Sequence, residues 1–96
     1  MSDIYVRPNS ASGEGLGNSF ETVSKNLSAY PFSLTYSGDD LTEVEYDLGG
    51  SSIVKTFNYT LGALTSIVLS GSTPSGISLT KTFNYTGDDL TSVAYS

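Results

Sequence analysis

The side chains in this chain that could carry chemistry are mainly carboxylates, and two pairs of them stand in short glycine-containing stretches. Gly38-Asp39-Asp40 and Gly87-Asp88-Asp89 have the composition of a calcium-binding loop, because paired carboxylates are ligands for hard cations. The corresponding stretch between them, Leu61-Gly62-Ala63, has no carboxylate. Asp and Gly also suit tight turns. We therefore predict structural turns at these positions, and neither a metal site nor another cofactor.

The remaining acidic residues give no indication of an enzyme. Glu43, Glu45 and Asp47 alternate along one predicted strand, a pattern typical of a solvated strand face. The chain contains no His and no Cys, which removes the commonest general base and excludes thiolate metal sites and disulfides. We therefore predict no catalytic residue, no cofactor-binding residue and no small-molecule substrate.

Composition also limits the class of partner. The formal net charge is −6 and only 4 of the 96 residues are Lys or Arg, whereas nucleic-acid binding needs basic side chains that neutralise phosphates. No apolar run approaches the ~20 residues that a membrane-spanning helix requires. We therefore expect neither a nucleic acid nor a membrane as partner. The length is that of one small domain with a modest core.

A repeated unit organises the chain from residue 32 onward. Residues 81–93 read KTFNYTGDDLTSV, residues 55–67 read KTFNYTLGALTSI, and residues 34–44 form a less regular copy. In each copy a Tyr is followed five residues later by a Leu, and then by Thr-x-Val or Thr-x-Ile. Internal repetition of this kind indicates that one supersecondary unit is used several times. The three tyrosine–leucine pairs are Tyr36 and Leu41, Tyr59 and Leu64, and Tyr85 and Leu90.

Residues 1–31 are predicted to form an N-terminal arm with a different organisation. Ile4-Tyr5-Val6 has the composition of a short strand. A short helix is predicted over residues 19–26, with Asn18 as its N-cap and Glu21 at the capping-box position.

Residues 32–96 are predicted to form a β-meander of three hairpin repeats, so the fold class is mainly β. From residue 32 the apolar residues recur with a period of two, as in strands that bury one face. Between the strands stand turn residues rich in Gly, Asp and Ser. The predicted strands are 32–37, 41–47, 52–60, 64–70, 77–86 and 90–95.

The turns predict how the strands pair. A three-residue loop at each Gly-Asp-Asp position, and at the equivalent Leu61-Gly62-Ala63, makes all hairpins agree on which sheet face is apolar. The glycines at 49 and 50 suit a two-residue turn. Ala63 is the exception, because the third position of such a loop favours a positive φ, and this turn is open to a different construction. The pairs predicted are Tyr36 with Thr42, Leu34 with Val44, Tyr59 with Thr65, Phe57 with Ile67, Leu69 with Ile77, Ile67 with Leu79, Tyr85 with Thr91, and Phe83 with Val93.

The apolar face is predicted to be larger than the helix can cover. Six strands make a sheet about 24–29 Å wide, whereas a two-turn helix is only ~12 Å long. An exposed apolar patch of that size is unusual on a soluble monomer. Either the sheet curls on itself, or subunits pack their apolar faces together; we favour a homo-oligomer, with a trimer as the first choice. The interface candidates are Tyr36, Tyr46, Phe57, Tyr59, Ile67, Leu69, Leu79, Phe83, Tyr85, Val93 and Tyr95.

Two segments resemble known protein families. Ile4-Tyr5-Val6-x-Pro8, followed by Gly13, Gly15, Gly17 and Ser19-Phe20-x-Thr22-Val23, resembles the segment that opens many tail-spike and pectate-lyase-like proteins. No solenoid follows it in this chain, so that family's enzymatic activity is not implied. The KTFNY…LTSV units resemble the tyrosine-containing YD-type β-repeats and hairpin units in small structural proteins of tailed bacteriophages.

These resemblances imply a function in a bacteriophage particle. The implied protein is a non-enzymatic virion component of a fibre, neck, tail or capsid-decoration element, with other virion proteins as partners. The residues leave one alternative open, because exposed tyrosines could stack on sugars or contact a host protein. This alternative is a β module that binds a glycan or receptor.

Overall fold

The computed structural model describes residues 17–96, with side chains from residue 19 onward. The strand predicted at Ile4-Tyr5-Val6 lies outside the described residues. Within this range one helix, α1, precedes six strands. The elements are α1 (Gly17–Leu27), β1 (Phe32–Ser37), β2 (Asp40–Asp47), β3 (Ser52–Thr60), β4 (Ala63–Gly71), β5 (Thr80–Thr86) and β6 (Asp89–Tyr95).

The six strands form one antiparallel sheet whose order follows the chain from β1 to β6. The predicted mainly-β meander is therefore confirmed. β1 and β3 begin and end at the predicted residues, while β2, β4 and β6 extend one residue further at one or both ends. β5 begins at Thr80, three residues later than predicted.

The three hairpin turns contain two residues instead of the three predicted. They are Gly38-Asp39, Leu61-Gly62 and Gly87-Asp88. Leu61 and Gly62 both have a positive φ (51° and 83°), as a type I′ turn requires. Gly38 and Gly87 have a positive φ (60° and 61°) at the first turn position, which is the glycine position of a type II′ turn. Ala63 lies in β4, so the φ that made it an exception does not arise there.

The third residue of each predicted loop is accommodated as a β-bulge next to the turn. Tyr36 pairs with Leu41, Tyr59 with Leu64 and Tyr85 with Leu90, so the predicted pairing of each tyrosine with a threonine is wrong by one residue. Beyond the bulges the predicted pairs Leu34–Val44, Phe57–Ile67 and Phe83–Val93 are confirmed.

The bulges explain why each repeat has a threonine after its leucine. The hydroxyls of Thr42, Thr65 and Thr91 each donate a 3.1 Å hydrogen bond to a carbonyl on the opposite strand. The accepting carbonyls belong to Thr35, Asn58 and Asn84, the residues that precede the repeat tyrosines. A bulge leaves one residue out of the ladder. The threonine hydroxyl supplies a hydrogen bond beside that interruption.

The register between β4 and β5 differs from the prediction by two residues. Ile67 pairs with Lys81, and the Leu69 N–H donates to the Leu79 carbonyl over 2.8 Å. The predicted pairs Leu69–Ile77 and Ile67–Leu79 are therefore wrong, although a shift of two leaves every side chain on its predicted face. The prediction was wrong because the alternation of apolar residues continues through Ile77, although residues 72–79 form a connecting loop and not the start of a strand. In this loop the Ser78 N–H donates to the Ser19 hydroxyl of α1 over 3.1 Å.

Helix α1 packs across the part of the sheet farthest from the three hairpin turns. It begins at Gly17, so Asn18 lies in the first turn of the helix and not before it. Glu21, predicted to cap the helix, uses its carboxylate on the sheet instead. The buried apolar core consists of Phe20 and Leu27 from α1 with Val44, Tyr46, Ile53 and Leu69 from the sheet.

Candidate functional site

The apolar sheet face is only partly covered by α1, as the sequence predicted. Of the interface candidates, Tyr46 and Leu69 are buried in the core beneath the helix, and Phe57, Ile67 and Tyr95 are partly buried against that core. Tyr59 and Phe83 are partly buried further along the sheet. Tyr36, Leu79, Tyr85 and Val93 are exposed, and so are Phe32, Leu34 and Leu90, which were not among the candidates.

The residues next to the hairpin turns form a band across the sheet that we call the tyrosine–leucine row. Each hairpin contributes one tyrosine and the leucine directly opposite it. Opposed residues of an antiparallel pair point to the same face, so all six side chains lie on the apolar face. In order across the sheet the row is Tyr36, Leu41, Tyr59, Leu64, Tyr85 and Leu90.

Tyrosine hydroxyls in the row connect each hairpin to the one before it. The Tyr59 hydroxyl donates to the Leu41 carbonyl over 2.9 Å, and the Tyr85 hydroxyl donates to the Leu64 carbonyl over 2.8 Å. Tyr36 occupies the equivalent position on the edge strand β1, where its side chain is 57% exposed. The spacing of Tyr and Leu in the sequence revealed the row's members, but not this contact between hairpins.

The two interfaces between hairpins have the same register. Val44 pairs with Lys55 between β2 and β3, and Ile67 pairs with Lys81 between β4 and β5. In both cases the lysine is the first residue of its repeat. The residue it faces belongs to the previous repeat and follows that repeat's leucine by three positions. The connections differ in length, since residues 48–51 join one pair and residues 72–79 the other. The repeated residues, and not the connecting loops, therefore determine this register.

The two lysines also hold α1 on the sheet. The Lys55 ammonium donates to the Ser24 hydroxyl over 2.6 Å, and the Lys81 ammonium pairs with the Glu21 carboxylate at 2.5 Å. Both lysines lie on the apolar face beside aromatic rings. The Lys55 ammonium is 5.7 Å from the centre of the Tyr46 ring, a distance at which the cation is attracted to the ring face.

The Glu21 carboxylate accepts a second hydrogen bond, from the Tyr95 hydroxyl at 2.6 Å. Burial raises the pKa of Glu21, but the hydrogen bonds from Lys81 and Tyr95 outweigh it and hold the pKa below its ordinary value of 4.5. Burial and the hydrogen bond to Glu21 both raise the pKa of Tyr95. Burial lowers the pKa of Lys55, although the nearby Glu21 charge opposes that change. These groups therefore form a polar contact that depends on an ionised Glu21.

A pH titration of stability is expected to reveal this contact. The folded-state pKa of Glu21 is lower than its unfolded value, so its contribution is present above the unfolded pKa and is lost as pH falls through the folded pKa. We expect Glu21→Gln to cost less than about 1 kcal/mol at pH 7, because the Glu21 side chain is 46% exposed and solvent screens the pair. The difference from the unmodified protein should shrink below about pH 4.5, measured by urea denaturation. Glu43→Gln, on the opposite face, is the control; an equal pH dependence there would contradict this assignment.

The acidic residues of β2 and the turns do not form a recognisable metal site. Across residues 17–96 there is no group of three or more His, Cys, Asp or Glu side chains that could hold a metal ion. The Asp47 carboxylate accepts a 2.8 Å hydrogen bond from the Gly49 N–H and so supports the turn after β2. No helix in this part of the chain is long and apolar enough to cross a membrane.

Comparison with family models, with curated proteins and with solved structures finds no match for this chain. The geometry of the apolar face and the resemblance of the repeats are therefore the grounds on which a function can be argued.

Proposed function

We propose that this chain is a non-enzymatic structural or accessory protein of a bacteriophage virion. It acts as an oligomeric component of a fibre, neck, tail or capsid-decoration element and contacts other virion proteins there. The observation that carries the oligomeric role is the part of the apolar sheet face that residues 17–96 leave uncovered. The location in a virion is supported by the resemblance of the hairpin repeats and the N-terminal segment to phage proteins.

The exposed residues argue for burial by another subunit. Phe32 is 59% exposed and Leu90 is 52% exposed, at opposite edges of the same face. Contiguous apolar patches larger than a few hundred Å² are uncommon on monomeric proteins and mark interaction surfaces. A trimer around a threefold axis would turn three such faces toward one another.

The structural role of the polar side chains supports a function without catalysis. Tyr59 and Tyr85 donate to backbone carbonyls, the repeat threonines bond beside the bulges, and Glu21 joins the helix to the sheet. Side chains used in this way stabilise the hairpin array. A structural protein needs such an array, and it needs no reactive group.

The oligomer is tested by the molar mass of the purified protein in solution, measured by light scattering. We expect a trimer, with three times the 10.1 kDa mass of one chain. A monodisperse species of 10.1 kDa at micromolar concentration would contradict the oligomeric role. The virion assignment is tested separately, by detecting the protein in purified particles of the phage that encodes it.

A glycan-binding module is the second candidate, and a groove between the second and third hairpins favours it. This groove has a volume of about 330 Å³ and is lined by Tyr85, Thr60, Thr65 and Asp88, among others. An aromatic ring beside hydroxyl and carboxylate groups is suited to a sugar. Titration of the isolated protein with host glycans would show saturable binding, lost in Tyr85→Ala. Absence of saturation would leave the structural role as the better account.

A further inference from the structure

We propose that copies of this chain join head to tail through the two edges of the sheet, so that β1 of one copy pairs with β6 of the next. In this contact the Tyr36 hydroxyl donates to the Leu90 carbonyl of the neighbouring copy. The occupant of each edge is therefore a second copy of the same chain. This inference rests on the proposed oligomeric function and adds a contact through the sheet edges to the packing of apolar faces.

The first argument concerns the tyrosine-to-leucine hydrogen bond that the sheet makes twice. One edge carries an equivalent donor and the other edge carries an equivalent acceptor. Inside the sheet, the tyrosine of one hairpin donates to the leucine carbonyl of the hairpin before it. At the β1 edge Tyr36 has no preceding hairpin within residues 17–96, and at the β6 edge Leu90 has no following one. The two halves are complementary, because one offers a hydroxyl donor and the other a carbonyl acceptor.

The second argument is that hairpins dock in this register without help from a connecting loop. The register is identical across β2–β3 and β4–β5, although the connections differ in length. A hairpin therefore contains the information needed to dock on the next one. A hairpin that belongs to another molecule presents the same residues and needs no covalent connection.

The third argument is that the two edge strands carry few of the features that usually prevent edge-to-edge pairing. Exposed edges are commonly protected by charged side chains, especially Lys, or by proline. Residues Phe32–Ser37 of β1 contain no charged residue and no proline, and Asp89–Tyr95 of β6 contain one charge, Asp89. Strands β1 and β6 run in opposite directions in the meander, so joining them continues the antiparallel order.

The internal interfaces predict the register of the new one. Phe32 occupies the repeat position of Lys55 and Lys81, and Val93 occupies that of Val44 and Ile67. Phe32 of one copy is therefore expected opposite Val93 of the next, which covers two exposed apolar side chains. One residue further along, Ser33 is expected opposite Ser92. A head-to-tail contact of this kind closes into a ring or extends into a fibre.

Disulfide cross-linking tests this register, because the chain contains no cysteine of its own. Ser33→Cys and Ser92→Cys are made as separate variants, mixed and oxidised gently. We expect a covalent dimer of the two variants on a non-reducing gel. In the double variant Ser33→Cys/Ser92→Cys we expect a covalent series of multiples of the chain. Within one molecule the two positions lie on opposite edges, about 24 Å apart for six strands, too far for an internal disulfide.

A displaced pair provides the control. Ser33→Cys mixed with Ala94→Cys places the second thiol two residues along the same face, where the spacing between diagonal neighbours exceeds what a disulfide tolerates. This mixture should cross-link much less than the matched pair. Equal cross-linking of both mixtures would overturn the proposed register.

Removal of one hydroxyl provides a second measurement. Tyr36→Phe is expected to raise the dissociation constant between copies about fivefold, which is the effect of one hydrogen bond. It should not lower the stability of the isolated chain. Tyr59→Phe removes the equivalent hydroxyl inside the sheet and should lower stability instead.

The outcomes separate the two proposals. A protein that stays monomeric at all concentrations overturns both the oligomeric function and the edge contact. An oligomer that shows no Ser33–Ser92 cross-link and is unaffected by Tyr36→Phe overturns the edge contact alone. In that case another surface joins the copies. Cross-linking of the matched pair with weaker association of Tyr36→Phe supports the contact.

Discussion

Replacing Phe20 with alanine is expected to lower the free energy of unfolding by about 3–5 kcal/mol. The Phe20 side chain is 2% exposed and belongs to the core between α1 and the sheet. Its ring also packs on that of Tyr95, with 5.8 Å between the ring centres. Truncation therefore removes apolar burial, leaves a cavity and ends an aromatic contact. The loss is comparable to the whole stability of a small domain.

The Phe20→Ala substitution should destabilise the helix more than the sheet. An 11-residue helix is marginal by itself in water, so α1 depends on its packing against the sheet. We expect Phe20→Ala to lose helical signal in circular dichroism at lower urea concentrations than it loses sheet signal. Thr22→Ala, two residues along on the exposed side of α1, is the matched control and should change stability by less than about 0.5 kcal/mol. Similar losses in the two variants would show that α1 does not depend on this core.

The strands and their faces could be predicted because the repeats and the period of two agree. A one-residue slip in any strand would move its whole apolar set to the other face, so the pattern allows few solutions. Even the wrong register at Leu79 kept the faces correct, since the shift was two residues. The sheet face on which each side chain lies could therefore be predicted from the sequence.

The bulges could not be predicted, because two backbone solutions satisfy the same side-chain pattern. A three-residue loop and a two-residue turn followed by a bulge place Leu34 opposite Val44 equally well. The signal that distinguishes them is the threonine after each repeat leucine, whose hydroxyl bonds across the bulge. In the sequence that threonine looks like an ordinary strand residue.

The exposed part of the apolar face could be predicted from the sequence only in part, for a different reason. The sequence shows which residues are apolar, but coverage depends on where α1 lies. Lys81 and Tyr95 meet Glu21 across 60 and 74 residues of chain, and no local pattern predicts contacts of that range. Tyr46 and Leu69, predicted as interface candidates, are consequently buried within one chain.

Replacing Gly71 with alanine is expected to destabilise the protein by about 3 kcal/mol. Gly71 has a φ of +92°, and a Cβ there would lie 2.5 Å from the carbonyl oxygen of Ser52. That oxygen cannot move freely, because it accepts a 2.9 Å hydrogen bond from the Ser72 N–H. The positive φ accounts for about 1–3 kcal/mol of strain, and the close approach of two backbones adds to it. Gly71 also pairs with the buried Ile53, so a local separation of β3 and β4 would disturb the core.

A comparison with Gly76 separates the strain of a positive φ from the steric clash. Its φ is +77°, similar to that of Gly71, but a Cβ there would meet nothing within 4 Å. Gly76→Ala therefore carries the conformational strain without the steric clash and should cost about 1–2 kcal/mol. The measurement is urea denaturation of both variants at matched protein concentration, because the proposed association would be linked to folding. A loss at Gly71 clearly larger than at Gly76 would show that the close approach of β4 to the Ser52 carbonyl is rigid. Equal losses would mean that the two strands separate readily at this end, and that φ alone requires glycine there.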